Sequence, residues 1–135
     1  MSLEINAVNP STVWQVPPNF QIVYTHATKA SGGSDLLFVS GQFGVAPDGK
    51  LPEKFTDQAA QAWANVEALL AAAGMSKSNV VKLNYFLVRP EDAQDLVSLR
   101  AKLWEGMQPP AVTVLTVSAL ARPEYLIEIE ATAVK

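Results

Sequence analysis

At 135 residues the chain has the length of one ordinary domain and leaves little room for a second. Hydrophobic residues at 49% and charged residues at 17% suffice for a core, which excludes wholesale disorder, and a net charge of −3 lacks the positive field that general nucleic-acid binding draws on. The absence of cysteine excludes disulfide frameworks, thiolate nucleophiles and zinc–cysteine sites.

Residues 1–135 are expected to form a single domain, of which residues 1–19 are an extended N-terminal arm. Asn9-Pro10, Ser11 and Pro17-Pro18 interrupt any helix there, and Trp14 is the side chain that could pin the arm down. No basic-then-apolar leader and no membrane-length apolar run is seen, so a cytoplasmic protein without a membrane partner is expected. Phe20, Ile22, Val23, Tyr24 and Thr25 predict a strand over residues 20–27, closed by Ser31-Gly32-Gly33-Ser34 as the turn of a hairpin. Leu36-Leu37-Phe38-Val39 is its partner strand, stopped by Ser40-Gly41, and Pro47-Asp48-Gly49 marks the next turn. Thr56-Asp57 starts a helix that Gly74 ends; Ala59, Trp63, Val66, Leu70 and Ala73 form its apolar stripe, set against Gln58, Gln61, Asn65 and Glu67.

Residues 79–88 predict a strand apolar on both alternating faces. Pro90, Glu91 and Asp92 open a second helix with Leu96, Leu99 and Leu103 as its stripe, which Pro109-Pro110 must end. Residues 111–120 and 125–134 read as two strands joined by a turn at Arg122-Pro123. This order is α+β, with no repeat or linker. Two helices cover one face of such a sheet, so its other face is expected to meet a second copy of the chain, unless the N-terminal arm folds across it.

Four stretches in this order resemble the YjgF/Rid (reactive intermediate deaminase) family: Ser40-Gly41-Gln42, the helix from Gln58 through Asn65 to Ala73-Gly74, Val80-Val81-Lys82, and Ile127-Glu128-Ile129-Glu130-Ala131. The resemblance spans nearly everything from Tyr24 onward. It implies a chorismate-mutase-like fold of the bacillary type, a mixed sheet with two helices on one face. It also implies a homotrimer, whose three inter-subunit clefts bind small carbonyl or imine metabolites and need no cofactor. In the family's best-understood branch, enamines and imines are hydrolysed to 2-keto acids and ammonia. An arginine there clamps the substrate carboxylate, a tyrosine and an asparagine line the pocket, backbone amides hold the substrate, and a glutamate positions water.

Carried over residue by residue, the resemblance makes Glu128 the water-positioning glutamate, Tyr24 the pocket tyrosine, and Gly41 a backbone donor. A second donor is placed near Val114. The family's Pro-Ala-Arg reads here as Pro110-Ala111-Val112, so the guanidinium fork is missing, and the asparagine's nearest counterpart is Val97. The Asn9-Pro10-Ser11-Thr12 opening with Trp14-Gln15, and the Leu120-Ala121-Arg122-Pro123-Glu124 turn, resemble a less-characterised branch without that arginine. Loss of such a clamp weakens carboxylate binding by on the order of several kcal/mol, so the usual 2-imino acids are not the expected substrates. Arg100 or Arg122 could replace it, but a solvated surface side chain is the favoured reading of either.

Glu128 and Glu130 share one strand face, which fits an acid–base site or simply a solvated surface. His26 is the only histidine, a candidate proton shuttle or an ordinary strand-end side chain. Ser40, His26 and Glu128 lack the nucleophile-elbow pattern of a hydrolytic triad. Trp63, Trp104 and Phe86 read as packing. Three functions remain open: a hydrolase of C=N or activated C=O groups using a water held by Glu128, a non-catalytic metabolite-binding module, and an endoribonuclease. The net charge and solitary histidine speak against the last, so nucleic acid is not an expected partner.

Overall fold

The computed structural model describes residues 2–135, which run β1 (Glu4–Val8), β2 (Ala27–Ser31), β3 (Leu36–Phe43), α1 (Phe55–Ala72), β4 (Val80–Leu87), α2 (Ala93–Leu103), β5 (Ala111–Thr116) and β6 (Ile127–Val134). Short 3-10 turns occupy Pro18–Phe20, Lys77–Asn79 and Pro90–Asp92. The main sheet has the order β3-β6-β4-β5, and β1 pairs with β2 as a separate two-stranded ribbon. β4 and β5 are parallel, joined by the crossover through α2, while β6 is antiparallel to both of its neighbours. The expected mixed sheet with two helices on one face is thus present.

Alternation along β6 builds the core. Ile127, Ile129, Ala131 and Ala133 are buried beneath the helices, and Glu128, Glu130 and Thr132 fall on the opposite face. β4 adds Leu83, Tyr85 and Leu87 to the core, and α1 adds Ala59, Trp63, Val66 and Leu70. The rings of Trp63 and Trp104 meet edge to face, with centroids 5.9 Å apart. Gly74, at φ +72°, ends α1 as expected. No helix among the described residues is long and apolar enough to cross a membrane.

Several sequence expectations are corrected. Residues 20–26 are not a strand: after Pro17 the chain forms a 3-10 turn, and the Val23 and Tyr24 N–H groups both donate to the Phe20 carbonyl, at 3.0 and 3.1 Å. The β-formers are there for packing, since Val23 is fully buried. The Gly32-Gly33 turn does not close a hairpin, because β2 pairs with β1 and β3 with β6. Between them the Ser34 and Asp35 N–H groups donate to the Lys135 carbonyl at 3.0 and 2.8 Å, carrying the chain from one sheet to the other. Part of the expected arm is itself strand, with Glu4 opposite Ser31 and Val8 opposite Ala27. β5 and β6 follow each other in sequence but lie on either side of β4. α2 ends at Leu103, well before Pro109-Pro110, and Gly106 takes a left-handed φ of +73° in the turn that follows.

The open face also differs from expectation. Its middle mixes Phe86 with the polar Glu128, Glu130, Thr132, Lys82 and Asn84, and exposed apolar side chains stand at its rims, Phe38 on β3 and Leu115 on β5.

Gln58, read from its spacing as a polar-side residue of α1, is 1% exposed. Its amide nitrogen donates to the carbonyls of Pro52 (2.9 Å) and Glu124 (3.0 Å), and its oxygen accepts from the Leu126 N–H (2.9 Å), so it fastens the entry to β6. Gly44 packs against its backbone so closely that a Cβ would overlap it. Three backbone groups depend on this one amide, so Gln58→Leu is expected to destabilise the fold by about 2–4 kcal/mol. Glu67→Ala on the exposed side of the same helix should stay within about 0.5 kcal/mol of wild type. Urea unfolding of both variants checks this.

Candidate functional site

The residues expected to form one site fall into two groups on opposite sides of the sheet. The first is Glu128 with Gly41. Glu128 lies opposite Phe43 of β3 and Phe86 of β4, on the open face. The β3 strand is irregular between Val39 and Gln42, and this bulge brings Gly41 under the Glu128 side chain. A Cβ at position 41 would overlap the Glu128 carboxylate where it now lies, so any larger residue there would displace that side chain. Partial burial raises the Glu128 carboxyl above its ordinary value, and the charge of Glu130 adds to the shift. Glu130 accepts a 2.6 Å hydrogen bond from Asn84 Nδ2 and so has a structural partner.

The second group is Tyr24 with Val112 and Val114. In the β4–β5 register Val112 stands beside Leu83 and Val114 beside Tyr85, so these valines belong to the helix side of the sheet. Thr25 forms a parallel bridge with Ala111, and its N–H donates to the Pro110 carbonyl at 3.3 Å, laying residues 20–26 along the start of β5. The arm folds over the top of this segment. Asn9 Nδ2 donates to Thr25 Oγ1 at 2.7 Å, the His26 N–H donates to Asn9 Oδ1 at 2.8 Å, and His26 Nε2 hydrogen-bonds the Trp14 carbonyl. His26 thus anchors the arm, its ring edge-on to Tyr24 with centroids 6.1 Å apart. Trp14, Phe20, Tyr24, Val97, Arg100, Val112 and Val114 share a cavity of about 470 Å³ between the arm, α2 and β5.

Within one chain these two groups cannot meet. Glu128 pairs with Phe86, and Phe86 with Leu115, so two strand spacings, roughly 10 Å, separate Glu128 from β5. The side chains of Glu128 and of the two valines also project to opposite faces.

Of the two arginines proposed as substitutes for the missing clamp, Arg122 is a surface residue 3.8 Å from Glu124. Arg100 is 4% exposed, contrary to the solvated reading. Its Nη2 donates to the Val23 carbonyl at 3.0 Å, its guanidinium carbon lies 5.4 Å from the centre of the Tyr85 ring, and its Nε has no partner among the described residues. The signal was legible in the spacing: Arg100 lies four residues after Leu96 and three after Val97, on the stripe that faces the sheet. Asn65, which its spacing puts on the polar side of α1, instead ties α1 to the end of β3, donating to the carbonyls of Phe43 (3.0 Å) and Val45 (2.9 Å). No group of three His, Cys, Asp or Glu side chains converges as metal ligands would among the described residues.

Residues 17–135 match the profile of the endoribonuclease L-PSP family, which takes in both groups of the site. The chain belongs to this family. Its L-PSP relatives include a RutC family protein of Aquifex aeolicus, 33% identical over 83% of this chain and 88% of that one. TdcF of Escherichia coli, whose name places it among reactive intermediate deaminases, is 30% identical over 74% of this chain and 79% of its own. Among solved structures, a Rid family protein of unknown function from Yersinia pestis, YyfB, superposes with a TM-score of 0.85 at 30% identity, covering 97% of this chain and 98% of that one. E. coli TdcF solved with bound serine superposes with a TM-score of 0.70 at 29% identity, covering 83% and 87%. L-PSP relatives therefore carry both endoribonuclease and deaminase names on this one fold.

The raised Glu128 carboxyl makes a prediction about stability. The folded protein holds this proton more tightly than the unfolded chain, so Glu128 adds stability below the ordinary glutamate range. That contribution is lost as the pH rises from the ordinary value through the raised folded one. Glu128→Gln is therefore expected to stabilise the protein at about pH 7, with the difference vanishing near pH 3, where both forms are protonated. Urea unfolding at the two pH values is the measurement.

Proposed function

We propose that the chain assembles as a homotrimer and acts in the cytoplasm on small metabolites, in clefts that join Glu128 and Gly41 of one copy to Tyr24, Val112 and Val114 of the next. The observation that carries this reading is the division of the site between two faces of one sheet. A second copy laid on the open face would bring the halves together, with Phe38 and Leu115 at its rims as apolar contacts.

In such a cleft the Glu128 carboxylate orients a water and accepts its proton as the oxygen adds to the carbon of a C=N or activated C=O group. The electron pair displaced onto nitrogen or oxygen is steadied by backbone N–H groups near Gly41 and Val114. With an imine, Glu128 returns the water's proton to nitrogen; the adduct's hydroxyl proton then passes by way of Glu128 to the same nitrogen as the C–N bond breaks, releasing ammonia, leaving the carbonyl compound and restoring the carboxylate. The deaminase name of TdcF and the serine bound in its crystal structure support small nitrogen-bearing metabolites as the substrate class. Val112 leaves no guanidinium on β5, so the 2-imino acids that an arginine there would hold are not the preferred substrates. A base with a raised pKa should give a rate that climbs with pH through a value above the usual glutamate range.

Val112 and Val97, apolar where arginine and asparagine are expected, favour a second reading, a metabolite-binding module without turnover. Ammonia release from a panel of small imines and enamines decides between them. Glu128→Ala should abolish turnover with sedimentation and circular dichroism unchanged; full activity in that variant removes the mechanism. Melting shifts without product in wild type would establish the binding module. Purified protein should leave RNA intact, as a net charge of −3 and a single histidine suit ribonuclease chemistry poorly.

A further inference from the structure

Arg100 is a cation without a counter-ion. No carboxylate pairs with it among the described residues: Asp92, on the preceding 3-10 turn, is held by Arg89 through two hydrogen bonds of 2.8 and 2.9 Å, and Asp95 is exposed on α2. Burying a guanidinium is costly unless its donors find acceptors, and arginine does not escape the cost by losing its proton. The Val23 carbonyl satisfies only one of five donors, and Nε is left with none. Holding one carbonyl and packing on Tyr85 needs no permanent charge.

The surroundings say what would complete it. Among the described residues Arg100 is the only ionised side chain around the 470 Å³ cavity, whose walls are otherwise mainly apolar. That volume suits a small organic molecule. A planar fork carrying one positive charge matches a carboxylate in shape and charge, whereas a phosphate dianion would leave surplus negative charge in an apolar site.

We propose that this cavity binds a small monocarboxylic acid with an apolar body, its carboxylate on Arg100 and its body against Trp14, Phe20, Val97, Val112 and Val114. The charge absent from β5 is supplied from α2, on the other wall, and this selects acids with a bulkier apolar part than a β5 arginine would. The assignment deepens the function proposed above, since Tyr24, Val112 and Val114 serve both, and rests on it for the reaction but not for the binding. Trp14, 77% exposed at the mouth, would be covered by the ligand, while Trp63 and Trp104 stay in the core.

Titration of the full-length protein with phenylacetate, phenylacetamide and inorganic phosphate, by calorimetry and tryptophan fluorescence, tests this. Phenylacetate should bind once per chain and blue-shift the emission. Phenylacetamide should bind about 10- to 100-fold more weakly, the factor a charge-assisted hydrogen bond supplies, and phosphate should not bind. Arg100→Met should erase the preference for acid over amide. Val97→Trp, which fills the cavity without removing the guanidinium, should abolish both affinities, and it decides the matter together with wild type if Arg100→Met does not fold. Equal affinity for acid and amide, an acid preference that survives Arg100→Met, or no binding of phenylacetate overturns the proposal. Phenylacetate binding that persists in Glu128→Ala, in a protein that releases no ammonia from any imine, would leave this assignment standing while the catalytic reading fails. Ammonia release without an acid preference would do the reverse.

Discussion

The alternation along β6 is the constraint on which the molecule depends. It is an interior strand with a neighbour on each side, so its residues must serve two faces at once: Ile127, Ile129, Ala131 and Ala133 complete the core, while Glu128, Glu130 and Thr132 are delivered to the open face. A slip of one residue would put two carboxylates under the helices and two isoleucines on the open face, and both changes are unfavourable. The buried Gln58 amide sets that register at its start by binding the backbone on both sides of Tyr125. Tyr125 itself stacks on Phe43 with centroids 4.3 Å apart, so the same corner fixes the end of β3.

From this follows the division of chemistry between the two faces. On the open side a bulge in β3 places Gly41 beneath Glu128, and partial burial beside Glu130 holds its proton more tightly. On the helix side the N-terminal arm, α2 and the edge strand β5 border an open, mainly apolar cavity with one buried guanidinium. The arm reaches that position through side chains of low sequence prominence, Asn9, Thr25 and His26, each bonded across at least a dozen residues. β5 is an edge strand over most of its length, and Thr25 bridges it only at Ala111. Its exposed outer residues are where a neighbouring chain could complete the walls.

The sequence by itself determined what short-range periodicity can carry. The span of α1, its glycine stop, the presence of β4 and the two-faced pattern of β6 were legible because each is written in spacings of two, three or four residues. The motifs around Ser40-Gly41-Gln42 and Glu128 pointed to the family that the profile match then showed. Tertiary structure decided the rest. Residues 20–26 have strand-forming side chains but turn instead, because Pro17-Pro18 starts a 3-10 turn and Val23 is needed in the interior. β1 and β2 find each other across a loop of 18 residues, and β5 and β6 are parted by β4; pairing at such separations leaves no local trace. Arg100, Gln58 and Asn65 read as solvent-facing because their chemistry is polar, yet each lies where a backbone carbonyl or cavity must be met from inside. A polar side chain's identity does not state whether its partner is water or protein, and only the packed chain supplies that partner.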